Sequence, residues 1–198
     1  MNNPIKSLSR REWALWLASL AVVLIANLMT PELDPLTVTA ALVGITSLVF
    51  AAKGNVWAQI LMIVFSILYD VISFRFRYWG EMITYLGMTL PMAVWSTVTW
   101  LKNPSKENGS EVAIQTLARR HLALLAVSTA VVTAVFYCIL KSLDTPNLFF
   151  STVSVITSFL AAALTMLRSS YYAVGYATND VVLIVLWIMA SMENPAYI

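Results

Sequence analysis

The chain has little with which to bind metals or catalyse reactions: it has one cysteine, Cys138, and one histidine, His121, in 198 residues. One cysteine allows no intramolecular disulfide and no thiolate metal cluster, and one histidine cannot form a histidine-rich metal site. The sequence also lacks the GxGxxG, GxxxxGK[ST], GxSxG and HExxH motifs. We therefore expect no metal site, no cofactor and no catalytic residues, and predict that the protein is not an enzyme.

Charge is scarce as well. Charged residues make up 11% of the chain, against about 25% in an average soluble domain, while 60% are hydrophobic and the mean hydropathy is +0.78. A net charge of +2 provides no basic surface for nucleic acid. This composition predicts an all-α, multi-pass protein embedded in membrane lipid.

Seven apolar segments lie between polar breaks, and each is long enough to cross a hydrocarbon core of about 30 Å as a helix. No small-residue cleavage site follows the first segment, so we expect a retained helix there and not a signal peptide. The seven predicted transmembrane helices are 13–29, 35–52, 56–74, 82–101, 121–140, 148–167 and 171–190.

Positive charge is distributed unevenly between the two ends of these segments. With the N-terminus inside, three basic residues fall on the outer side: Arg75, Arg77 and Lys141. Lysine and arginine are enriched in cytoplasmic loops, so we predict a cytoplasmic N-terminus. The inner basic residues are Lys6, Arg10, Arg11, Lys53, Lys102, Lys106, Arg119, Arg120 and Arg168.

Two parts of the chain resemble each other. Ile45-Thr46-Ser47 in the second segment matches Ile156-Thr157-Ser158 in the sixth, and each is followed by a basic loop, an aromatic helix start and an acid inside the next helix, Asp70 or Asp180. This order predicts an internal parallel repeat with the two acids at equivalent positions. The second copy has two helices and the first has three. We therefore expect the chain to end one helix short of a second unit, and a natural seven-helix protein is the alternative.

The repeat divides the chain into five predicted parts. The linker among them is the one long polar stretch and is a candidate hinge. The parts are 1–34 (N-terminal segment and first transmembrane helix), 35–101 (first three-helix repeat), 102–120 (cytoplasmic linker), 121–140 (connecting helix) and 141–198 (incomplete second repeat).

Polar and aromatic side chains recur at helical spacing inside the apolar segments. A polar group in lipid needs a helix partner, a ligand or water, so these residues either lock helix packing or line a polar cavity. The repeated acids favour the cavity, in which rings would stack on a flat ligand while amides and acids bind its hydroxyls. The predicted substrate-binding residues are Gln59, Tyr69, Asp70, Tyr172, Tyr176, Asn179, Asp180 and Trp187.

Four further tryptophans lie close to predicted helix ends. Tryptophan is enriched where a membrane helix meets the lipid headgroups. We therefore predict that these four anchor the helices at the interface. They are Trp13, Trp16, Trp79 and Trp100.

Several segments of the chain resemble the PnuC-type nicotinamide riboside transporter family. The resemblance runs from about residue 36 to the end and is more specific in the first repeat. It is carried by Leu42–Val64, Ser66-Ile67-Leu68-Tyr69, Tyr78-Trp79-Gly80-Glu81-Met82, Pro91-Met92 and Trp95 with Trp100-Leu101-Lys102-Asn103.

The resemblance implies a bacterial inner-membrane transporter that takes up nicotinamide riboside, a precursor of NAD. It implies a SWEET-like core of two parallel three-helix repeats joined by one helix, an extra N-terminal helix, and a homotrimer in membrane lipid. It also implies facilitated diffusion with alternating access, after which phosphorylation traps the cargo inside the cell. Neither a cofactor nor a coupling ion is required, although a proton bound at Asp180 remains an alternative.

Two positions depart from the family pattern. The asparagine that family members carry before the residue matching Tyr69 is missing from Val64-Phe65-Ser66, and a Gln-x-x-Gly-Trp pattern reads Ala93-Val94-Trp95-Ser96. Amide side chains usually read the ligand, so other cargoes stay open: a deoxynucleoside, thiamine or riboflavin. A substrate-capturing subunit of an ATP-driven vitamin importer is a further alternative.

Overall fold

The computed structural model describes residues 5, 8–29, 34–106, 109 and 111–193. The chain forms two compact units, Met1–Ile114 and Gln115–Ile198. The described residues form helices α1 (Arg10–Leu28), α2 (Pro35–Ala52), α3 (Trp57–Arg75), α4 (Trp79–Thr84), α5 (Leu90–Lys102), α6 (Arg119–Ser142), α7 (Leu148–Met166) and α8 (Tyr172–Glu193), with a π-helical turn at Tyr85–Thr89 between α4 and α5.

The helices follow the predicted segments closely. Five of them, α1, α2, α3, α6 and α7, are long and apolar enough to cross a membrane by length and composition. The fourth predicted segment corresponds to one continuous helical stretch, residues 79–102, that the π turn divides. The last corresponds to α8, whose apolar part is Tyr172–Leu186.

Helix α1 is fixed at its start and along one side. Ser9 and Glu12 form a capping box, and the Glu12 carboxylate lies 3.1 Å from Lys53 Nζ. Trp16 packs against Phe50, and its indole Nε1 donates to Thr46 Oγ1 over 3.2 Å. The start of α1 is therefore held to α2 by packing, by a hydrogen bond and by an ion pair.

The opposite end of α2 has an acidic cap. The Asp34 carboxylate accepts hydrogen bonds from the Thr37 hydroxyl (2.7 Å) and from the Leu36 N–H (3.4 Å), and lies 3.5 Å from Arg75. The Thr37 hydroxyl is the main cause that holds the pKa of Asp34 below its ordinary value. The stabilisation from this cap is therefore present at neutral pH and is lost as the pH falls through that lowered pKa.

A buried hydrogen bond joins α2 to α3. The Ser47 hydroxyl, 1% exposed, donates to the Ala58 carbonyl over 2.8 Å. We expect Ser47→Ala to lower the free energy of unfolding by about 0.5–1 kcal/mol, measured by thermal unfolding in detergent. Thr152→Val is the control, because the Thr152 hydroxyl donates to its own helix at Leu148. An equal loss in both variants would contradict this role of Ser47.

The prediction that Trp100 anchors a helix at the lipid interface is wrong. Its side chain is 1% exposed and packs in a cluster with Val56 and Val112. The predicted linker explains the difference, because Val112 belongs to it and covers the end of α5. The linker is bonded there: Val112 N–H donates to the Gly54 carbonyl over 2.9 Å and Ala113 N–H to the Asn103 carbonyl over 2.9 Å.

The α2–α3 turn and the α7–α8 turn have the same backbone geometry. Gly54 and Arg168 both have a positive φ, 65° and 56°, and each carbonyl accepts an N–H from the linker region, Val112 and Gln115 respectively. One residue later, the side chains of Asn55 and Ser169 both accept from the N–H two residues on. Equivalent residues of the two turns are thus 114 apart (168 − 54).

This spacing corrects the predicted alignment of the repeat. At 114 residues, Asn179 corresponds to Phe65 and Asp180 to Ser66, so Asp70 and Asp180 are not equivalent. The contacts agree with the new alignment, because Gly44 packs against the Phe65 ring and Ser158, 114 residues after Gly44, contacts Asn179. The Ile-Thr-Ser match was misleading because its two copies are 111 residues apart (156 − 45), three fewer than the turns.

Candidate functional site

Asn179 is held by two hydroxyls in the second unit. Its side chain is buried, 8% exposed, and its Oδ1 lies 2.8 Å from both Thr157 Oγ1 and Ser158 Oγ. Thr157 and Ser158 are consecutive on α7, and Asn179 comes from the packed face of α8. The two hydroxyls fix the amide with its oxygen toward α7.

This arrangement leaves the other end of the amide available. Among the described residues, Asn179 Nδ2 has no hydrogen-bond partner in the structure. An amide NH₂ donates two hydrogen bonds, and a donor at this depth is strongly favoured to find an acceptor. Asn179 is therefore set up to donate to a carbonyl or hydroxyl oxygen of a ligand.

The other predicted residues of α8 have different surroundings. Tyr172 and Tyr176 are half-buried, and the Tyr176 hydroxyl hydrogen-bonds to the Thr165 side chain. Asp180 is exposed on the next face of the helix and does not join the Asn179 network. Trp187 lies in α8, but its side chain is outside the described residues.

In the first unit, Tyr69 belongs to an aromatic cluster with Phe65 and Tyr85. The Tyr69 ring stacks on Phe65 with centroids 5.6 Å apart, and it lies 4.4 Å from the ring of Tyr85 at the start of the π turn. Isolated π turns occur frequently at functional sites. This cluster offers ring faces for a flat ligand.

Two further predicted residues of the first unit lie on another face of α3. Gln59 is buried, 5% exposed, near the start of the helix. Asp70 is half-buried as a residue, but both of its carboxylate oxygens are buried and have no hydrogen-bond partner. Tyr69 and Asp70 are adjacent in sequence and therefore about 100° apart around the helix, so they do not act on one ligand face.

Sequence reasoning missed four residues of these two groups: Thr157, Ser158, Phe65 and Tyr85. The first two stand in the Ile-Thr-Ser match, which we interpreted only as a repeat signal. Scattered hydroxyls in membrane helices usually back-bond to their own helix, and only the packing of α7 on α8 brings these two to Asn179. Tyr85 has no sequence signal that distinguishes it from a residue facing lipid.

The chemistry of the two groups excludes some ligands. Neither group contains a lysine or an arginine, so neither offers a cation to a phosphate. In the part of the chain that the structure describes, no three His, Cys, Asp or Glu residues lie together as metal ligands would. The groups instead combine aromatic rings, hydroxyls, an oriented amide and exposed or buried carboxylates.

Comparison with known proteins gave three matches. A model of the nicotinamide mononucleotide transporter family matches residues 34–197. The nicotinamide riboside transporter PnuC of Neisseria mucosa is 25% identical over 185 residues, which are 91% of this chain and 70% of that protein. A crystal structure of the vitamin B3 transporter PnuC superposes with a TM-score of 0.78 at 24% identity, over 95% of this chain and 81% of that one; this likeness shows the fold.

Proposed function

The chain belongs to the nicotinamide mononucleotide transporter family, a family of membrane transporters and not of enzymes, and we propose that it carries nicotinamide riboside. The relative from Neisseria mucosa is named as a transporter of that compound. The chain is a multi-pass membrane protein. The cargo itself is the step that the proposal adds to the family assignment.

The observation that carries the proposal is the oriented amide of Asn179. Nicotinamide riboside has a carboxamide oxygen and ribose hydroxyls, all of which accept hydrogen bonds. Asn179 Nδ2 offers two donors, while Thr157 and Ser158 hold Oδ1. A buried donor that is unpaired in the empty protein rejects cargo without an acceptor at that point.

Charge favours the riboside over the mononucleotide. The pyridinium ring of both compounds carries a permanent positive charge, and the mononucleotide adds a phosphate. The proposed binding residues Tyr172, Tyr176 and Asp180 suit a cationic ring, through the faces of the two tyrosines and one carboxylate. A phosphate would meet Asp180 without a basic partner in the same group, which is unfavourable.

The remaining features of the proposal rest on the resemblance and on the sequence. The protein would work in a bacterial inner membrane with its N-terminus in the cytoplasm, by facilitated diffusion and alternating access, as a homotrimer with a SWEET-like repeat core. Phosphorylation inside the cell would trap the cargo. Gln59 and Tyr69 are the cargo contacts proposed in the first unit, and Trp187 is the last one proposed in α8.

Calorimetric titration of the detergent-purified protein tests the cargo. We expect micromolar binding of nicotinamide riboside and at least about tenfold weaker binding of nicotinamide mononucleotide, nicotinamide, thymidine, thiamine and riboflavin, a difference of about 1.4 kcal/mol. Preference for thymidine, thiamine or riboflavin would replace the proposed cargo. Equal binding of the mononucleotide would contradict the argument from charge.

A further inference from the structure

A row of oxygen atoms without partners runs along one face of α3. The hydroxyls of Ser66 and Ser73 and both carboxylate oxygens of Asp70 are buried and make no hydrogen bond. Ser66 and Ser73 are 0% and 1% exposed. The three residues are four and three positions apart, so they stack one helical turn after another on a single face.

Nothing in the helices packed against α3 neutralises Asp70. Helices α2, α4 and α5 and the π turn pack against α3. Helix α2 has no charged or titratable residue, α4 has Glu81, the π turn has Tyr85, and α5 has Lys102 at its last position. On α3 itself, Tyr69 is uncharged, and Arg75 is directed to Asp34, 3.5 Å away.

A carboxylate in this position is costly while it stays ionised. The free energy of removing one ion from water is several kcal/mol and needs a partner charge or several hydrogen bonds to offset it. A ring-sized cargo has no access to the oxygens, because each exposes less than 1 Å². A proton needs no cavity, and its binding removes the charge.

We propose that Asp70 is a proton-binding site, with Ser66 and Ser73 as the hydroxyls that relay the proton to and from it along α3. The proton comes from water and adds to one carboxylate oxygen, which yields a neutral carboxylic acid. This replaces the expectation that no coupling ion is needed, and it moves the alternative proton site from Asp180 to Asp70.

Infrared spectroscopy of the full chain tests the site without any cargo. A protonated carboxylic acid has a C=O stretch that a carboxylate lacks, and an exposed aspartate is protonated only below about pH 4. We expect this band at pH 7 in the wild type and in the control Asp144→Asn, and its loss in Asp70→Asn. Asp144 lies in a loop with a left-handed backbone that asparagine adopts readily, so the control removes a carboxyl without strain.

A melting experiment gives a second readout. If Asp70 must stay neutral in the fold, the wild type becomes less stable as the pH rises and Asp70 loses its proton, whereas Asp70→Asn does not. We expect equal melting temperatures at pH 5 and a melting temperature about 3 °C higher for Asp70→Asn at pH 8.5. The control Asp144→Asn should follow the wild type at both pH values.

Two results would overturn the proposal. One is the absence of the protonated-acid band at pH 7 in the wild type. The other is persistence of the band in Asp70→Asn, which would assign it to another acid such as Glu81. Neither readout uses nicotinamide riboside, so a failure here is distinct from a failure of the proposed cargo.

The proton has a consequence for transport that rests on the proposed function. In lightly buffered proteoliposomes, addition of cargo should change the internal pH for the wild type and for Asp144→Asn. For Asp70→Asn the pH change should be lost. Cargo uptake by the wild type without any pH change would restrict Asp70 to a static neutral acid and would refute the relay by Ser66 and Ser73.

Discussion

Replacement of Asn179 by leucine is expected to weaken binding of nicotinamide riboside by about 100-fold. The leucine has a similar volume but offers no donor to the cargo. Two hydrogen bonds of about 1–1.5 kcal/mol each account for a loss of this size, about 2.7 kcal/mol. Calorimetric titration of the purified variant measures the change directly.

The fold should survive this substitution. The Thr157 hydroxyl also lies within hydrogen-bond distance of the Val153 and Ser154 carbonyls of its own helix, at 3.1 and 3.0 Å. It therefore keeps a partner when Asn179 is absent. An unchanged melting temperature together with unchanged binding would show that Asn179 is a packing residue only.

A graded variant separates contact from orientation. Thr157→Val removes one of the two hydroxyls that hold Asn179 Oδ1 but leaves the amide donors in place, so we expect a loss of only about 3–10-fold. Thr152→Val, on the same helix, should have no effect on binding. A loss in Thr157→Val as large as in Asn179→Leu would mean that Thr157 itself contacts the cargo.

Replacement of Gly175 by alanine is expected to destabilise the second unit. A Cβ atom at this position would lie 2.9 Å from the Ala161 Cα and 3.2 Å from its Cβ. The Cα belongs to the backbone, so α7 and α8 must move apart to make room. Overpacking of this kind costs about 1–3 kcal/mol, and thermal unfolding in detergent measures it.

The same movement should reach the Asn179 network. Gly175 lies one turn before Asn179 on α8, and Ala161 lies one turn after Ser158 and Thr157 on α7. We expect Gly175→Ala to lower the affinity for nicotinamide riboside as well as the melting temperature. Gly87→Ala is the matched control, because a Cβ there meets nothing within 4 Å. Equal destabilisation by the two variants would reject the close contact as its cause.

Much of the fold could be predicted from the sequence. Apolar length predicts the membrane helices because each helix satisfies its own backbone hydrogen bonds in lipid. The prediction was less successful where tertiary packing decides. The sequence marks Trp100 as near a helix end, but only the fold places the linker residue Val112 over it.

The candidate site was only partly predictable. Asn179 was found because a buried amide in an apolar helix is costly without a partner. The sequence did not show that Asp180 faces away from it or that Thr157 and Ser158 face it, since these orientations depend on how α7 and α8 pack. The role of every predicted site residue in binding stays a prediction.

The π turn at Tyr85–Thr89 also determines which side chains α5 presents to its neighbours. A π turn contains one residue more than the α-helical turn that it replaces, as the Leu90 N–H shows by donating to the Tyr85 carbonyl, five residues earlier. Deletion of Gly87 would restore a continuous α-helix and rotate everything after it by about 100°. Trp100 would then turn away from Val56 and Val112. A helix of this length is thus phased by a single inserted residue, and an alignment of residues 79–102 with a relative needs a one-residue gap wherever that relative has a regular helix.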